Sequence, residues 1–265
     1  MFPSLTSLAA FQAAVAHKPE IRFATHPNGI TIGCYLFADS HTFDSPEALE
    51  CRGVAFDSNG QVISRPLHKF FNVGERPTLT PDAMLARRDI AAIYDKLDGS
   101  MIATAWVNGQ LTWRSKKAFT SDVVQLTHSL LTHPDHASLV KFAEDVAANQ
   151  MTAIFELTHP EARIVVQHEQ PALRLLHIRD NVTGRYLLLD PTSPLHALIQ
   201  RYRIPVVSQH PTLTIDQVLT SLSTMSQCEG YVVQFASGDM VKLKCSWYLR
   251  LHRSITFLRE RDIAM

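Results

Sequence analysis

The sequence predicts an α+β fold built mostly from antiparallel strands. Three observations predict it. Strand-like runs follow one another across tight turn signals such as Asn108-Gly109, so neighbours pair antiparallel. Helical patterns come singly or in pairs between those runs, without the regular βαβ alternation of a doubly wound sheet. No GxGxxG or GxxxxGK(S/T) phosphate loop occurs.

Each element has its own signal. Residues 5–17 carry apolar positions at helical spacing and are rich in alanine, which predicts a first helix. Short strands follow at "IRFAT", "TIGCYLFA", "GVAFD" and "QVISRP", the last two joined at Asn59-Gly60. Residues 90–116 hold three strands. Helices are expected near 121–132 and 136–148, parted by "THPDH". Strands resume at "TAIFELT", "ARIVVQ", "LRLLHIRD" and "RYLLLD", with "DNVTG" turning the last pair. Helices near 194–202 and 214–224 precede a hairpin of "GYVVQF" and "MVKLKC" across "ASGD". A final helix is expected from about Ser246 to Arg261. No repeat, low-complexity tract or long linker divides the chain. Residues 1–265 are therefore expected to form one domain, with 1–80 an extension packed on it and no separate C-terminal domain.

Composition narrows the function. With 265 residues, 46% of them hydrophobic, the chain can bury a sizeable core. No apolar run approaches the roughly 18 residues of a membrane span. The N-terminal stretch lacks the basic region of a signal peptide. Cys34, Cys51, Cys228 and Cys245 form no CxxC pair, which argues against a disulfide framework and fits a cytoplasmic location. The 13 histidines show no metal-binding spacing and read as structural or surface residues. A formal net charge of zero excludes a general basic coat for nucleic acid but leaves room for patches. Two segments are locally positive, each at net +3: Ser64 to Arg88, five cations against two carboxylates, and Asp239 to Met265, six against three.

Five clusters carry candidate chemistry. The first is Lys96-Leu97-Asp98-Gly99-Ser100, a lysine in a polar turn at a strand end, where Gly99 lets the chain approach a ligand. KxDG alone arises by chance in roughly one chain in twenty of this length. The second is Phe155-Glu156-Leu157, a carboxylate in an apolar strand; it also reads as one arm of a buried ion pair. The third is Glu229-Gly230 at a strand start. The fourth is Lys242-Leu243-Lys244, whose two ammoniums share one strand face and repel unless an anion lies between them. The same pair also reads as a solvated face. The fifth runs from Glu50 to Glu75, with Arg52, Arg65 and Lys69 near strand ends; Lys69 beside Phe70-Phe71 also reads as a snorkelling lysine.

Their order is more informative than any one of them. From Lys96, the strand carboxylate comes 60 positions on, Glu-Gly 133 on and Lys-x-Lys 146 on. This set resembles the covalent nucleotidyltransferase superfamily of ligases and RNA-capping enzymes. "CRGVAFD", "SRPLHKFFNVGE", "WRSKK", "LTHPEARIVV", "LRLLHIRDNVTGRYL" and "VKLKCSWYLRLH" resemble more narrowly the bacteriophage-type ATP-dependent RNA ligases, the RNA ligase 1 branch, over about residues 30–255. The implied fold is a nucleotidyltransferase domain, ATP-grasp-like, with flanking helices and no OB-fold.

The resemblance implies a three-step reaction. Lysine attacks the α-phosphate of ATP, AMP passes to an RNA 5′-phosphate, and a 3′-hydroxyl then displaces AMP. Lysine is a nucleophile once neutral, a form that neighbouring cations favour, and those cations also offset charge on the phosphoryl oxygens. Lys96 is the implied AMP acceptor. The resemblance implies that Arg52 and Lys69 contact nucleotide phosphates, and Lys116 in "RSKK" matches the next motif, with Lys117 beside it in a nearby register. Phe155 is expected to face the adenine and Glu156 the ribose or a metal-bound water. By the same resemblance Glu229 is expected to support the metal, and Lys242 and Lys244 to hold phosphates with Tyr248 nearby. The implied metal is Mg²⁺, with Mn²⁺ able to substitute. The implied partners are ATP and RNA with 5′-phosphate and 3′-hydroxyl ends, in RNA repair or processing, and no membrane.

One departure stands out. Relatives often add a domain after the Lys-x-Lys motif, whereas 21 residues follow Lys244 here. RNA is then expected to be gripped by the two positive segments. The alternatives are a DNA ligase or capping-type nucleotidyltransferase, against which the "KFFN" segment argues, and a catalytically silent RNA-binding module of the same fold.

Overall fold

The computed structural model describes residues 2–187, 189, 191 and 193–263, the last six as backbone alone. In chain order the first elements are α1 (Leu8–Ala14), β1 (Ile21–Thr25), β2 (Thr31–Tyr35), α2 (Pro46–Glu50), β3 (Arg52–Phe56), β4 (Val62–Ser64), β5 (Phe71–Asn72) and α3 (Pro81–Ala86). The middle holds β6 (Ile90–Lys96), β7 (Ser100–Val107), β8 (Gln110–Arg114), α4 (Asp122–Leu131), α5 (Ala137–Ala148), β9 (Met151–Thr158), β10 (Ala172–Asp180) and β11 (Tyr186–Leu187). The rest is α6 (Pro194–Tyr202), α7 (Ile215–Ser221), β12 (Gly230–Phe235), β13 (Met240–Lys244) and α8 (Ser246–Ile263). Among the described residues no helix is long and apolar enough to cross a membrane.

The chain divides into two compact units. The first comprises the chain up to Lys69, Ser100–Leu157 and Ala172–Val206. It holds two sheets, ordered β1-β2-β3-β4 and β11-β10-β9-β7-β8. Alternation along β7, β9 and β10 sends Ile102, Phe155 and Leu173 to one face, where Val124 of α4, Phe142 of α5 and Ile199 of α6 cover them. The small sheet packs Val54 and Phe56 of β3 against Phe11 of α1. Ser7 caps α1, its hydroxyl accepting from Ala10 N–H, so the helix starts later than the Leu5 expected from periodicity. Leu5 instead donates its N–H to the Val182 carbonyl at 2.9 Å.

Arginines tie this unit together. Arg114 of β8 donates to Ser64 Oγ at 3.0 Å and to the Gly53 carbonyl at 2.5 Å, linking the two sheets. Glu50, at the end of α2, takes Arg65 Nη2 at 2.9 Å and Arg179 Nη2 at 2.6 Å, all three side chains being almost wholly buried. Arg65 also donates to the carbonyls of Val182 and Pro3, both at 2.8 Å.

The second unit comprises Phe70–Gly99, Thr158–Pro171 and the chain from Val207 onward. Its sheet runs β5-β13-β12-β6, with β5 parallel and the other pairs antiparallel. Ile93, Val233, Val241 and Leu243 line one face and pack on Met84 of α3 and on Ile215 and Val218 of α7. Thr214 and Gln217 form a capping box at the start of α7.

Most expected elements are present, and Asn108 and Gly109 both take the positive φ of a primed hairpin turn. At Asn59-Gly60 only the glycine does so, and Asp57 holds the turn by accepting from the N–H of Asn59 and Gln61. The expected strand at "ARIVVQ" is absent: a 3₁₀ turn over Pro160–Ala162 leads into a loop. The N–H groups of Val165 and Val166 go to Asp98 Oδ2 instead of a ladder. The strand expected at "RYLLLD" is confined to Tyr186–Leu187, and Leu188 and Asp190 lie outside the described residues.

Glu50 makes stability pH-dependent. Burial alone would raise its pKa, but Arg179 and Arg65 hold the carboxyl down at about 2, against an ordinary 4.5. A depressed folded-state pKa contributes stability that is present above about 4.5 and is lost as pH falls toward 2. Glu50→Gln leaves two buried guanidiniums uncompensated and should cost about 3–5 kcal/mol at neutral pH. Urea denaturation across that acid range checks both: the variant should lose the wild-type slope.

Candidate active site

In the second unit the candidate chemistry lies along one row of the sheet. Gly230 of β12 pairs with Lys96 of β6 on one side and with Lys244 of β13 on the other. Directly paired residues share a face, and every second residue returns to it. Lys96, Lys242 and Lys244 therefore lie on one face of a sheet whose opposite face is the apolar core of that unit.

Glu229 stands at the head of that row. Its Oε2 lies 2.7 Å from Lys96 Nζ and its Oε1 3.0 Å from Lys244 Nζ, and the carboxylate is only 4% exposed. Lys244 shares Glu229 with Lys96, while Lys242 Nζ lies 4.5 Å from the centroid of the Phe70 ring. Gly230 lets the strands close up. It sits at φ +139°, and a Cβ there would run into the Leu243 carbonyl oxygen.

Asp98 received no role from the sequence, yet it organises the turn after Lys96. Its Oδ2 accepts from Val165 N–H at 2.8 Å and Val166 N–H at 2.7 Å, and its Oδ1 accepts from the Tyr248 hydroxyl at 2.7 Å. His168 Nε2 lies 2.9 Å from the Asp98 carbonyl. One carboxylate thus joins the turn to the loop after β9 and to α8. Burial, then the nearby Glu229 and Asp98 carboxylates, push the Tyr248 phenol well above its ordinary pKa, so it stays a donor. Lys244 Nζ lies 5.0 Å from the centroid of its ring. A KxDG turn already offered the signal: aspartate readily accepts backbone N–H groups.

The first unit gathers a separate set of cations. Arg52, at the start of β3, donates to the Leu67 carbonyl and contacts Met101 Sδ at 3.6 Å. Met101 is the cross-strand partner of Glu156, which is half-buried on β9. Lys69 Nζ lies 5.9 Å and Lys116 Nζ 4.8 Å from the centroid of Tyr35, an aromatic ring that sequence reasoning passed over. Burial lowers the Lys116 pKa, and Arg52 and Lys117 lower it further. Arg114 is fully buried, burial drops its pKa to about 10, and its Nε has no hydrogen-bond partner. Cys34 feels Lys116, Lys117, Arg52 and Arg114 together, although burial outweighs them and keeps its pKa raised. Such a concentration of positive charge in a chain of zero net charge suits an anion.

Phe155 corrects an expectation. It is fully buried and packs on Trp113 at 5.5 Å between ring centroids, in the core beneath α4 and α5. Neighbouring residues of a strand face opposite ways, so Phe155 cannot share the face of Glu156. It is a core residue and presents no surface to a base.

A family model described as RNA ligase matches residues 50–248, which include Lys96, Glu229, Lys244 and Asp98. The chain belongs to the RNA ligase family. RNA ligase 1 of bacteriophage TS2126 is 30% identical over 233 residues, covering 85% of this chain and 57% of that protein. A Thermovibrio ammonificans protein, named provisionally as an RNA ligase, is 33% identical over 232 residues, 85% of this chain and 59% of its own length. The chain therefore spans somewhat over half the length of these relatives. Among solved structures, an archaeal ATP-dependent RNA ligase superposes with a TM-score of 0.61 at 16% identity, over 89% of this chain and 61% of that one. The fold is that of the nucleotidyltransferase ligases, mixed α and β with antiparallel sheets.

Gly230→Ala should cost about 2 kcal/mol or more, because the new Cβ meets backbone at a positive φ. Gly74→Ala is the control: φ is +85° there, but nothing lies within 4 Å of a Cβ. Urea denaturation of the two variants should separate the steric penalty from the conformational one.

Proposed function

We propose that the chain is an ATP-dependent RNA ligase that joins 5′-phosphate to 3′-hydroxyl ends through a covalent lysyl-AMP and an adenylylated RNA end. The observation that carries this reading is the Lys96–Glu229–Lys244 arrangement: an amine, a carboxylate 2.7 Å away and a second ammonium across it. An amine must shed a proton before it attacks phosphorus, and Glu229 Oε2 is within reach to hold that proton. In the first step the Lys96 Nζ–P bond forms and the bond from the α-phosphorus to the pyrophosphate oxygen breaks. Lys244, freed of half its claim on Glu229, offsets charge on the phosphoryl oxygens. In the second, an RNA 5′-phosphate oxygen takes AMP from lysine. In the third, an RNA 3′-hydroxyl attacks the 5′-phosphorus and AMP leaves.

The other assignments follow the family resemblance. Lys242 is a further phosphate contact in the second unit. Arg52, Lys69 and Lys116 are phosphate contacts in the first, where four cations act on Cys34. Tyr248 supports the site through Asp98 and from beneath Lys244. By the resemblance, Glu229 and Glu156 are each proposed as supports for a divalent ion, Mg²⁺ foremost. Among the described residues no three His, Cys, Asp or Glu side chains could hold a metal by themselves. Lone carboxylates fit a hard ion carried mainly by phosphates and water. When bound, such an ion neutralises phosphate charge.

Incubation with α-labelled ATP and Mg²⁺, followed by denaturing gel analysis, tests the proposal. Wild type should become labelled, and Lys96→Ala should not, while still sealing RNA that is already adenylylated. Labelling of Lys96→Ala at the wild-type rate sinks the assignment. Lys242→Ala and Lys244→Ala should each slow single-turnover labelling by ~10²-fold, the usual loss when one transition-state charge partner is removed. Normal rates in both would return the pair to a solvated strand face.

A further inference from the structure

The loop that follows β2 is well tied yet displays apolar side chains. Leu36 N–H donates to the Glu20 carbonyl at 2.9 Å. Asp39 Oδ1 accepts from the N–H groups of His41 at 2.7 Å and Thr42 at 2.8 Å, and Thr42 Oγ1 donates to Glu20 Oε1 at 3.0 Å. Lys18 Nζ donates to the His41 carbonyl at 2.6 Å and pairs with Asp44. Phe43 turns inward, 7% exposed, and meets the Tyr35 ring edge-on at 5.0 Å. Leu36 and Phe37 remain 57% and 60% exposed. Two consecutive large apolar residues held out by an ordered loop differ from a single stray one.

The surroundings say what they suit. Lys69 Nζ lies 5.3 Å from the Phe43 centroid, and Lys116 Nζ lies 4.8 Å from that of Tyr35. Lys117 is exposed and acts electrostatically on Cys34, three residues before Phe37. Phe37 comes two residues after Tyr35, whose ring lies 4.8 Å from Lys116 Nζ, and exposed Lys117 is next to Lys116 in the chain. An exposed ring on a stretch of chain that lysines approach suits a strand with bases and phosphates; an apolar partner would have no use for the lysines, nor an acidic one for the ring. We propose that Phe37, with Leu36 beside it, is a stacking platform for a base of single-stranded RNA whose backbone is met by Lys117. This rests on the reading of the chain as an RNA ligase but concerns the polynucleotide, not ATP, and adds a contact outside the motifs.

The test uses a short 5′-phosphorylated single-stranded RNA without ATP. Phe37→Trp should show indole quenching that saturates with RNA and weakens with salt. Phe37→Ala should bind that RNA about tenfold less tightly or worse, as loss of one base–aromatic stack implies, and Phe37→Tyr should restore binding. Self-labelling by α-labelled ATP should be unchanged in all three variants. Wild-type RNA affinity in Phe37→Ala overturns the proposal. So does lost self-labelling with intact RNA binding, which would assign the ring to the adenine of ATP. A lower sedimentation mass in Phe37→Ala than in wild type also overturns it, by making the patch an interface between copies. If wild type binds RNA through Phe37 but never self-labels, the ligase reading fails and this one stands.

Discussion

Two ammonium groups on one sheet face repel strongly when water is largely excluded, and the second unit depends on how that repulsion is met. Glu229 meets it by giving one oxygen to Lys96 and the other to Lys244. The arrangement requires three strands in a fixed register, because only the pairing of Lys96, Gly230 and Lys244 brings both nitrogens to one carboxylate. A slip by one residue would send the lysines into the apolar face occupied by Ile93, Val233 and Leu243. Burial of that face therefore enforces the register on which the charged face relies.

The first unit handles charge differently. Glu50 is fully committed to Arg65 and Arg179, so that triad is internally neutralised apart from one excess positive charge. Arg114 has no carboxylate among its hydrogen-bond partners: its Nη atoms donate to two carbonyls and a hydroxyl, and its Nε has no partner. Its charge contributes to the field at Cys34. Buried arginine therefore cements the unit at both places, and Arg114 also adds its charge to the field at Cys34.

The sequence made the strands and long helices legible because their patterns are local. Alternation in "GYVVQF" and the helical patterns around 137–148 and 194–202 depend on neighbours only. The misses arise where distant groups intervene. "ARIVVQ" has a strand's composition, but Asp98 takes its N–H groups. Phe155 has a ligand-facing reputation, yet simple alternation with Glu156 already put it in the core. Lys96, Glu229 and Lys244 were legible as residues through motif order, but the sharing of Glu229 was not, since it depends on cross-strand register. The roles of Asp98 and Tyr35 needed three-dimensional neighbours.

Gly53 ties two of the candidate cations together. It follows Arg52 directly, has φ +103°, and a Cβ on it would overlap the Lys116 carbonyl oxygen. The backbone that carries Lys116 therefore rests against the backbone that carries Arg52, with no side chain as spacer. The separation of those two charges is gauged by the bare thickness of a peptide strand. A side chain acquired at position 53 would push the two backbones apart and displace both charges together, so two apparently independent positions share a single point of failure.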